Sequence, residues 1–268
     1  MTTRLEHPVD KMPGIHRDEI VKSIHASGRQ MVIAAAGGGA SLVGELLATP
    51  GASRSMLEAV APYAPNSLKD WLGGEPDQAC SEPTARAMAM AAWRRGAWLS
   101  PKVDPSLLIG VGCTASLATD RVKRGTHRVF VATQTATCTN SLTLVLTGRD
   151  RTRAQEERIA ANLLLFALTK RCGVDAQSLQ AELESVLQAG ESVVPHGAVA
   201  EPAWTELLQA QRQWTALRPR SVEASLDADC ARPQGLLFPG AFNPPHAGHL
   251  RMAEFAEARL ERPAVWEI

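Results

Sequence analysis

The chain has 268 residues, which is enough for one large domain or two modest ones. Its 28 Lys and Arg residues balance 28 Asp and Glu residues, so the formal net charge is zero, and this excludes a nucleic-acid coat protein with a strongly basic face. Hydrophobic residues make up 45% and charged residues 21% of the sequence, a composition typical of globular proteins and not of disordered ones.

Cysteine usage and the N-terminus indicate the cellular compartment. The five cysteines are widely spaced and form no C-x-x-C pair, which favours reduced thiols over disulfides or zinc. The N-terminal segment MTTRLEHPVDKMPG has no apolar core like that of a secretory signal, and no apolar run reaches the ~20 residues that cross a bilayer. We therefore expect a cytoplasmic protein with no membrane and no nucleic-acid partner.

The first elements in the chain predict a βα unit. A helix is expected over residues 18–27, an apolar strand over 30–36, and a second helix over 41–48. Gly37, Gly38 and Gly39 lie between that strand and the second helix. The N-terminus of such a helix can receive an anion. Because no Gly-Lys-Ser/Thr sequence follows, the turn is not a P-loop, and a tight structural turn is the alternative.

The rest of the N-terminal half predicts an α/β domain over residues 1–171. Residues 49–74 are rich in Pro and Gly and should be mostly loop with one short helix. Ser81 is placed to cap the next helix. The elements predicted after it are a helix over 83–99, strands over 107–113, 128–133 and 141–147, and a helix over 159–170.

Two further segments complete the predicted organisation. Residues 172–231 are expected to be a packed helical connector, with amphipathic helices over 175–189 and 202–217. Residues 232–268 begin a second α/β domain, because the strand LLF precedes a Gly/Pro turn, a helix over 250–260 and a second apolar stretch, VWEI.

The turn of this second domain carries the most specific pattern, G-A-F-N-P-P-H-A-G-H-L over residues 240–250. His246 and His249 are three residues apart, so on the first turn of a helix their imidazoles point the same way. Together with the free N–H groups of a helix N-terminus, they can bind phosphate. Metal ligation is an alternative, although no third ligand lies nearby in the sequence, and a capped turn with two exposed histidines is another.

This turn resembles the motif of the nucleotidylyltransferase superfamily, which includes nicotinamide mononucleotide adenylyltransferases. The resemblance is carried by Gly240, Phe242, Asn243, Pro244, His246, Gly248 and His249. It implies a Rossmann-like domain that transfers an adenylyl or cytidylyl group from a nucleoside triphosphate to a mononucleotide-like phosphate acceptor, in chemistry linked to pyridine nucleotides.

The resemblance also implies roles for individual residues. His246 and His249 would be catalytic and would contact the phosphates, and Gly240, Ala241, Phe242 and Gly248 would complete the nucleotide-binding turn. ATP would be the substrate and Mg²⁺ the cofactor. The sequence ends soon after the helix, so we expect only the first β-α-β part of such a domain, either in a fragment or in a truncated protein.

Residues 30–171 resemble the C-terminal domain of CinA proteins, which include nicotinamide-nucleotide amidohydrolases. The resemblance is carried by the glycine turn, T-P-G-A-S over 49–53, Tyr63, C-S-E-P-T-A-R-A-M-A over 80–89, G-V-G-C-T-A-S over 110–116 and G-R-D-R-T-R over 148–153. It implies Ser53 as a catalytic residue in amide hydrolysis. Ser53, Tyr63, Arg149 and Arg151 would bind a mononucleotide.

One departure from the CinA pattern bears on that chemistry. A lysine is expected shortly after the tyrosine, but Leu68 occupies its position and Lys69 follows one residue later. Three hypotheses are therefore open: a nucleotidylyltransferase, an amidohydrolase that uses Ser53, and a non-catalytic nucleotide-binding module. The sequence is compatible with a homo-oligomer but does not decide the oligomeric state.

Overall fold

The computed structural model describes residues 14–120, 125–148, 150–213, 235–239 and 246–267. The chain divides into two compact units, Met1–Ala200 and Glu201–Ile268. Residues 172–200 therefore belong to the first unit, where the sequence suggested a separate connector over 172–231. In the described parts of both units, no helix is long and apolar enough to cross a membrane.

The first unit alternates helices and strands. Its elements are α1 (Gly14–Ala26), β1 (Gln30–Ala36), α2 (Ser41–Ala48), α3 (Ala52–Ser55), β2 (Met56–Val60), α4 (Pro65–Leu72), α5 (Glu82–Leu99), β3 (Leu108–Ser116), β4 (His127–Gln134), β5 (Cys138–Leu146), α6 (Arg153–Cys172), α7 (Gln177–Ser185) and β6 (Val193–Val199).

The six strands form one mixed sheet in the order β2-β1-β3-β4-β5-β6. β1 is parallel to both β2 and β3, and the remaining neighbours are antiparallel. Met31 and Ile33 of β1 pack in one core cluster with Leu163 and Leu164 of α6, whereas Ala34 packs on the opposite face. The α/β fold class predicted from the sequence is confirmed.

Helix α5 lies directly against β3 because two strand positions have no side chain. A Cβ on Gly110 would lie 2.1 Å from the carbonyl oxygen of Ala89, and a Cβ on Gly112 would lie 2.2 Å from that of Ala85. The Ser81 hydroxyl accepts a hydrogen bond from the Thr84 N–H, so the predicted helix cap is confirmed.

Two strands lie where the sequence did not predict them. β2 lies within the segment expected to be loop, and β6 lies within the expected connector. Both are at the edges of the sheet, and β6 contains Pro195 and Gly197. Edge strands tolerate Pro and Gly because one side of their backbone is not paired, which is why the sequence pattern did not reveal β6.

The second unit contains helix α8 (Pro202–Leu208) and a β-α-β arrangement. Its strands β7 (Leu236–Pro239) and β8 (Ala264–Glu267) pair in parallel and are connected through α9 (Ala247–Leu260). The rings of Phe238 and Trp266 pack 5.3 Å apart across the two strands. The β-α-β part predicted at the C-terminus is therefore present. The helix predicted over 202–217 is shorter than expected: it ends at Leu208, residues 209–213 are not helical, and residues 214–217 lie outside the described residues.

Candidate functional site: two helix N-termini

The two histidines of the C-terminal motif form the first turn of α9. His246 is the residue before the helix, and His249 is its third helical residue. The imidazole rings stack with centroids 3.6 Å apart and planes inclined by 22°. The structure thus places the two rings side by side at the positive end of the helix, as their spacing predicted.

Backbone hydrogen bonds determine how each imidazole is oriented. Nδ1 of His246 accepts from the Gly248 N–H at 3.2 Å, and Nδ1 of His249 accepts from the His246 N–H at 3.3 Å. A neutral imidazole that accepts at Nδ1 carries its proton on Nε2. In the neutral form, each ring therefore has an Nε2–H donor on the side that faces away from the backbone N–H group bound to Nδ1.

Gly248 makes this arrangement possible, because a Cβ at that position would lie 3.1 Å from the ring atoms of His246. Gly240, Ala241 and Phe242, which the family resemblance assigns to the nucleotide-binding turn, lie outside the described residues. Within the described ranges, no three His, Cys, Asp or Glu side chains cluster as metal ligands would.

The corresponding turn in the first unit is already occupied. The backbone N–H groups of Gly39 and Ser41, at the start of α2, each donate to the Glu157 carboxylate at 3.0 Å. This carboxylate comes from α6 and lies where an anion would bind a helix N-terminus. The chain supplies its own anion at the position where the sequence suggested an external one.

The crevice at the C-terminal ends of the parallel strands β1 and β3 is occupied by the side chain of Arg153. Arg153 donates to the Gly37 carbonyl at 2.7 Å and to the Ala118 carbonyl at 3.3 Å, so its guanidinium bridges the segments that follow the two strands. Ligands of open α/β sheets bind in such a crevice. A Cβ on Gly37 would lie 2.0 Å from the Ala115 carbonyl oxygen, so the turn lies directly on β3.

A buried thiol also holds this turn. Cys113 is fully buried, and its Sγ lies 3.3 Å from the Gly38 carbonyl oxygen, to which it donates. Burial raises the pKa of the Cys113 thiol, with a smaller contribution from the negative charge of Glu157. This cysteine is therefore a protonated packing residue and not a nucleophile.

Arg151 does not face an open site, as the mononucleotide-binding prediction would need. Its guanidinium is buried, pairs with both carboxylate oxygens of Glu191 at 2.8 and 2.7 Å, and donates to the Val186 carbonyl at 2.8 Å. Glu191 also accepts from the N–H groups of Thr147, Gly148 and Gln188. Arg149 lies outside the described residues.

These contacts change the acidity of Glu191. Burial opposes its ionisation, but the hydrogen bonds from Arg151 and the three backbone N–H groups outweigh burial and lower its pKa to about 2. The carboxylate is therefore charged at neutral pH and joins the end of β5, the loop after α7 and the start of α6. Its role is structural.

The structure does not bring Ser53 and Tyr63 together. Ser53 is exposed on α3, before β2, and Tyr63 is 72% exposed after β2. The intervening five-residue strand extends over roughly 13 Å. Among the described residues, no side chain hydrogen-bonds to the Ser53 hydroxyl. Leu68 is buried, and Lys69 instead forms an exposed ion pair with Glu75 at 3.6 Å.

The sequence did not predict that Glu157 and Glu191 bind the backbone N–H groups of loops in the first unit. Glu157 lies in the segment QEER, which has the pattern of a solvated charged helix start, and Glu191 lies in a loop. Glu157 is 118 residues from Gly39, and Glu191 is 44 residues from Thr147. No local pattern signals a pairing at such separations.

Comparisons with known proteins give one family-model match and several similar solved structures. Residues 237–268 match the family model described as Cytidylyltransferase-like, which makes this segment cytidylyltransferase-like. The match covers about an eighth of the chain. No curated protein is significantly similar to the sequence.

Solved structures similar to this chain include CinA-superfamily proteins. The competence/damage inducible protein CihA from Agrobacterium tumefaciens is 18% identical with a TM-score of 0.43, over 68% of this chain and 99% of that one. A CinA-superfamily protein from Enterobacter cloacae is 17% identical with a TM-score of 0.41, over 68% and 99%. One from Klebsiella pneumoniae is 15% identical with a TM-score of 0.43, over 63% and 99%.

Proposed function

We propose that the N-terminus of α9 binds the phosphates of a nucleoside triphosphate in a nucleotidyl transfer reaction. The observation that carries the proposal is the stacked pair of imidazoles, each of which accepts a backbone hydrogen bond at Nδ1 and so can donate from Nε2. Two N–H donors side by side at the positive end of a helix match the geometry and charge of a polyphosphate. The family match to residues 237–268 supports the same chemistry.

In the proposed reaction, a phosphate oxygen of a mononucleotide-like acceptor attacks the α-phosphorus of ATP or CTP. The bond between the α-phosphorus and its bridging oxygen to the β-phosphate breaks, and pyrophosphate leaves with the electron pair. His246 and His249 donate to the oxygens on which this charge develops. Fixed donors lower the barrier because they do not have to reorganise during the reaction.

The family resemblance implies Mg²⁺ as the cofactor of this reaction. No cluster of three His, Cys, Asp or Glu side chains exists among the described residues. Mg²⁺ commonly binds substrate phosphates together with only one or two carboxylates. The ion would thus enter with the triphosphate, and the roles proposed for the two histidines do not depend on it.

The test is pyrophosphate release by the full chain with ATP or CTP and nicotinamide mononucleotide, together with triphosphate binding followed by imidazole nitrogen NMR. We expect His246→Ala and His249→Ala each to lower release by about a hundredfold or more, the typical cost of losing one transition-state donor. Addition of ATP should shift the Nε2 resonances of both histidines. The control is His196→Ala, which removes an exposed imidazole from the first unit. Unchanged release in both variants contradicts the proposal.

For the first unit, we propose no amide hydrolysis through Ser53. A serine becomes a nucleophile only when a base accepts its proton, and the described residues place no base on Ser53. A non-catalytic nucleotide-binding or dimerising role is the alternative for this unit. Ammonia release from nicotinamide mononucleotide that disappears in Ser53→Ala would overturn this assignment, and mononucleotide binding without ammonia release would support it.

A further inference from the structure

The first unit contains a cleft of about 870 Å³ that the proposed nucleotidyl transfer does not use. Strands β4, β5 and β6 form its floor, and the C-terminal third of α6, helix α7 and the loop after α7 form its walls. Its volume lies in the range of small-molecule sites. The apolar residues that line it include Val131, Leu142, Phe166, Leu183, Leu187 and Pro195.

Strand register explains why the cleft exists. Val131 pairs with Leu142, and Leu142 with Pro195, so these three side chains lie in a row on one face of the sheet. α6 covers this face over β4, but the row continues to the edge strand β6. The space between that row and α7 is left unfilled.

One end of the cleft is polar. Thr133 lines the cleft, and no side-chain hydrogen bond joins it to another residue in the described part of the chain. Its cross-strand neighbour Asn140 also has a side-chain amide without a partner there. A Cβ on Gly197 would lie 2.4 Å from Nδ2 of Asn140, so the glycine makes room for that amide. A hydroxyl and an amide that bind no other described side chain are available to hydrogen-bond a ligand in the cleft.

Two cations lie at the same site. Arg171 donates from Nη1 to the Cys138 sulfur at 3.0 Å, which places its guanidinium on the strand that carries Asn140, two residues further along. Lys170 lies over the ring of Phe166, 5.1 Å from its centroid. Neither cation has a carboxylate partner among the residues described. Of the cleft's carboxylates, Glu184 is bound to Gln180 at 2.9 Å, and Glu191 is paired with Arg151.

We infer that this cleft binds a small amphipathic anion. A carboxylate or phosphate head would accept from Arg171, Asn140 and Thr133, and an apolar body would lie between the strand row and the walls formed by Phe166, Leu183 and Leu187. Guanidinium, amide and hydroxyl donors together satisfy an oxyanion, whereas a cationic head would be repelled by the positive charges of Arg171 and Lys170.

The test uses sodium decanoate as the anionic probe and decyltrimethylammonium as its cationic counterpart, with binding to the full chain measured by isothermal titration calorimetry. Decanoate is expected to bind with one-to-one stoichiometry and the ammonium far more weakly. Arg171→Gln should weaken decanoate binding by about tenfold to a hundredfold, because it removes a charged hydrogen-bond donor. Thr133→Val keeps the shape of the side chain and should weaken binding by about threefold to tenfold.

Arg94→Gln is the matched control, since it removes one exposed positive charge from α5 on the other face of the sheet and should leave decanoate binding unchanged. Circular dichroism establishes that each variant is folded, and the isosteric Thr133→Val keeps the test valid if Arg171→Gln unfolds. The proposal is overturned if decanoate does not bind, if both amphiphiles bind equally, or if both cleft variants bind like the unmodified protein. A self-associated state that excludes decanoate also overturns it.

Discussion

In both units a strand, a glycine-containing segment and a helix follow one another in the chain, but the two helix N-termini differ in what binds them. At α2, the Glu157 carboxylate accepts hydrogen bonds from the N–H groups, so its negative charge neutralises the positive end of the helix dipole. At α9, His246 and His249 cap the backbone with Nδ1 and present further donors at Nε2. A helix N-terminus can bind an external anion only if no carboxylate of the chain already accepts from its N–H groups.

In other loops of the first unit, too, a carboxylate of the chain accepts hydrogen bonds from backbone N–H groups. Glu156 is fully buried and accepts from the Ala118 N–H at 2.5 Å and from His127 at 2.7 Å. Glu191 accepts from three backbone N–H groups and Arg151. Carboxylates that satisfy buried loop N–H groups stabilise the fold but leave few groups for a phosphate. The second unit is therefore the better candidate for phosphate chemistry.

The largest effect is expected for Glu191→Gln. The change leaves Arg151 buried without a counter-charge, which costs about 3–5 kcal/mol of the free energy of unfolding. Urea unfolding of the full chain measures this loss. Glu184→Gln, at an exposed glutamate of α7, is the control and should change stability by less than about 0.5 kcal/mol. A loss below about 1 kcal/mol for Glu191→Gln would mean that the ion pair does not hold these loops.

The same residue predicts a dependence of stability on pH. The pKa of Glu191 is about 2 in the folded protein against an ordinary value of 4.5, so the unfolded chain binds the proton more readily. Its contribution, about 3 kcal/mol, is present above pH 4.5 and is lost as the pH falls towards 2. The stability difference between the unmodified protein and Glu191→Gln should shrink over this range. A constant difference would contradict the low pKa.

A smaller effect is expected when the α2 turn is opened. Glu157→Ala removes the carboxylate from the Gly39 and Ser41 N–H groups and should cost about 1–2 kcal/mol. Because those N–H groups then become available, sulfate should stabilise the variant more than the unmodified protein in thermal unfolding. Glu75→Ala, at an exposed carboxylate, is the matched control. Equal stabilisation by sulfate in all three proteins would show that the turn does not bind anions.

The smallest effect on stability is expected for His249→Gln. Glutamine at the third helical position can accept from the backbone N–H before the helix as the imidazole does, so the change in free energy of unfolding should stay within about 0.5 kcal/mol. Pyrophosphate release should nevertheless fall as it does in His249→Ala. If stability falls by more than 1 kcal/mol while release is retained, the histidines serve to cap α9 and not to bind phosphate.

Local elements and the histidine pair could be predicted from the sequence. The strand Gln30–Ala36, the helix Ser41–Ala48 and the cap at Ser81 are found as predicted, because each depends on neighbours within one or two turns. The stacking of His246 on His249 follows from helical spacing in the same way. The edge strands β2 and β6 were missed, because pairing with β1 and β5 holds them against a weak local pattern.

By itself, the sequence determined most of the helices and strands, the α/β class and the pairing of His246 with His249 on the first turn of α9, since these follow from residue spacing and backbone preference. Only the tertiary structure decided that Glu157 fills the N-terminus of α2, that Arg151 pairs with Glu191, and that Ser53 and Tyr63 lie at opposite ends of β2. Each depends on residues far apart in the chain or on the path of a strand between them. Such contacts form only when helices and strands pack together, so the spacing of neighbouring residues in the sequence does not predict them.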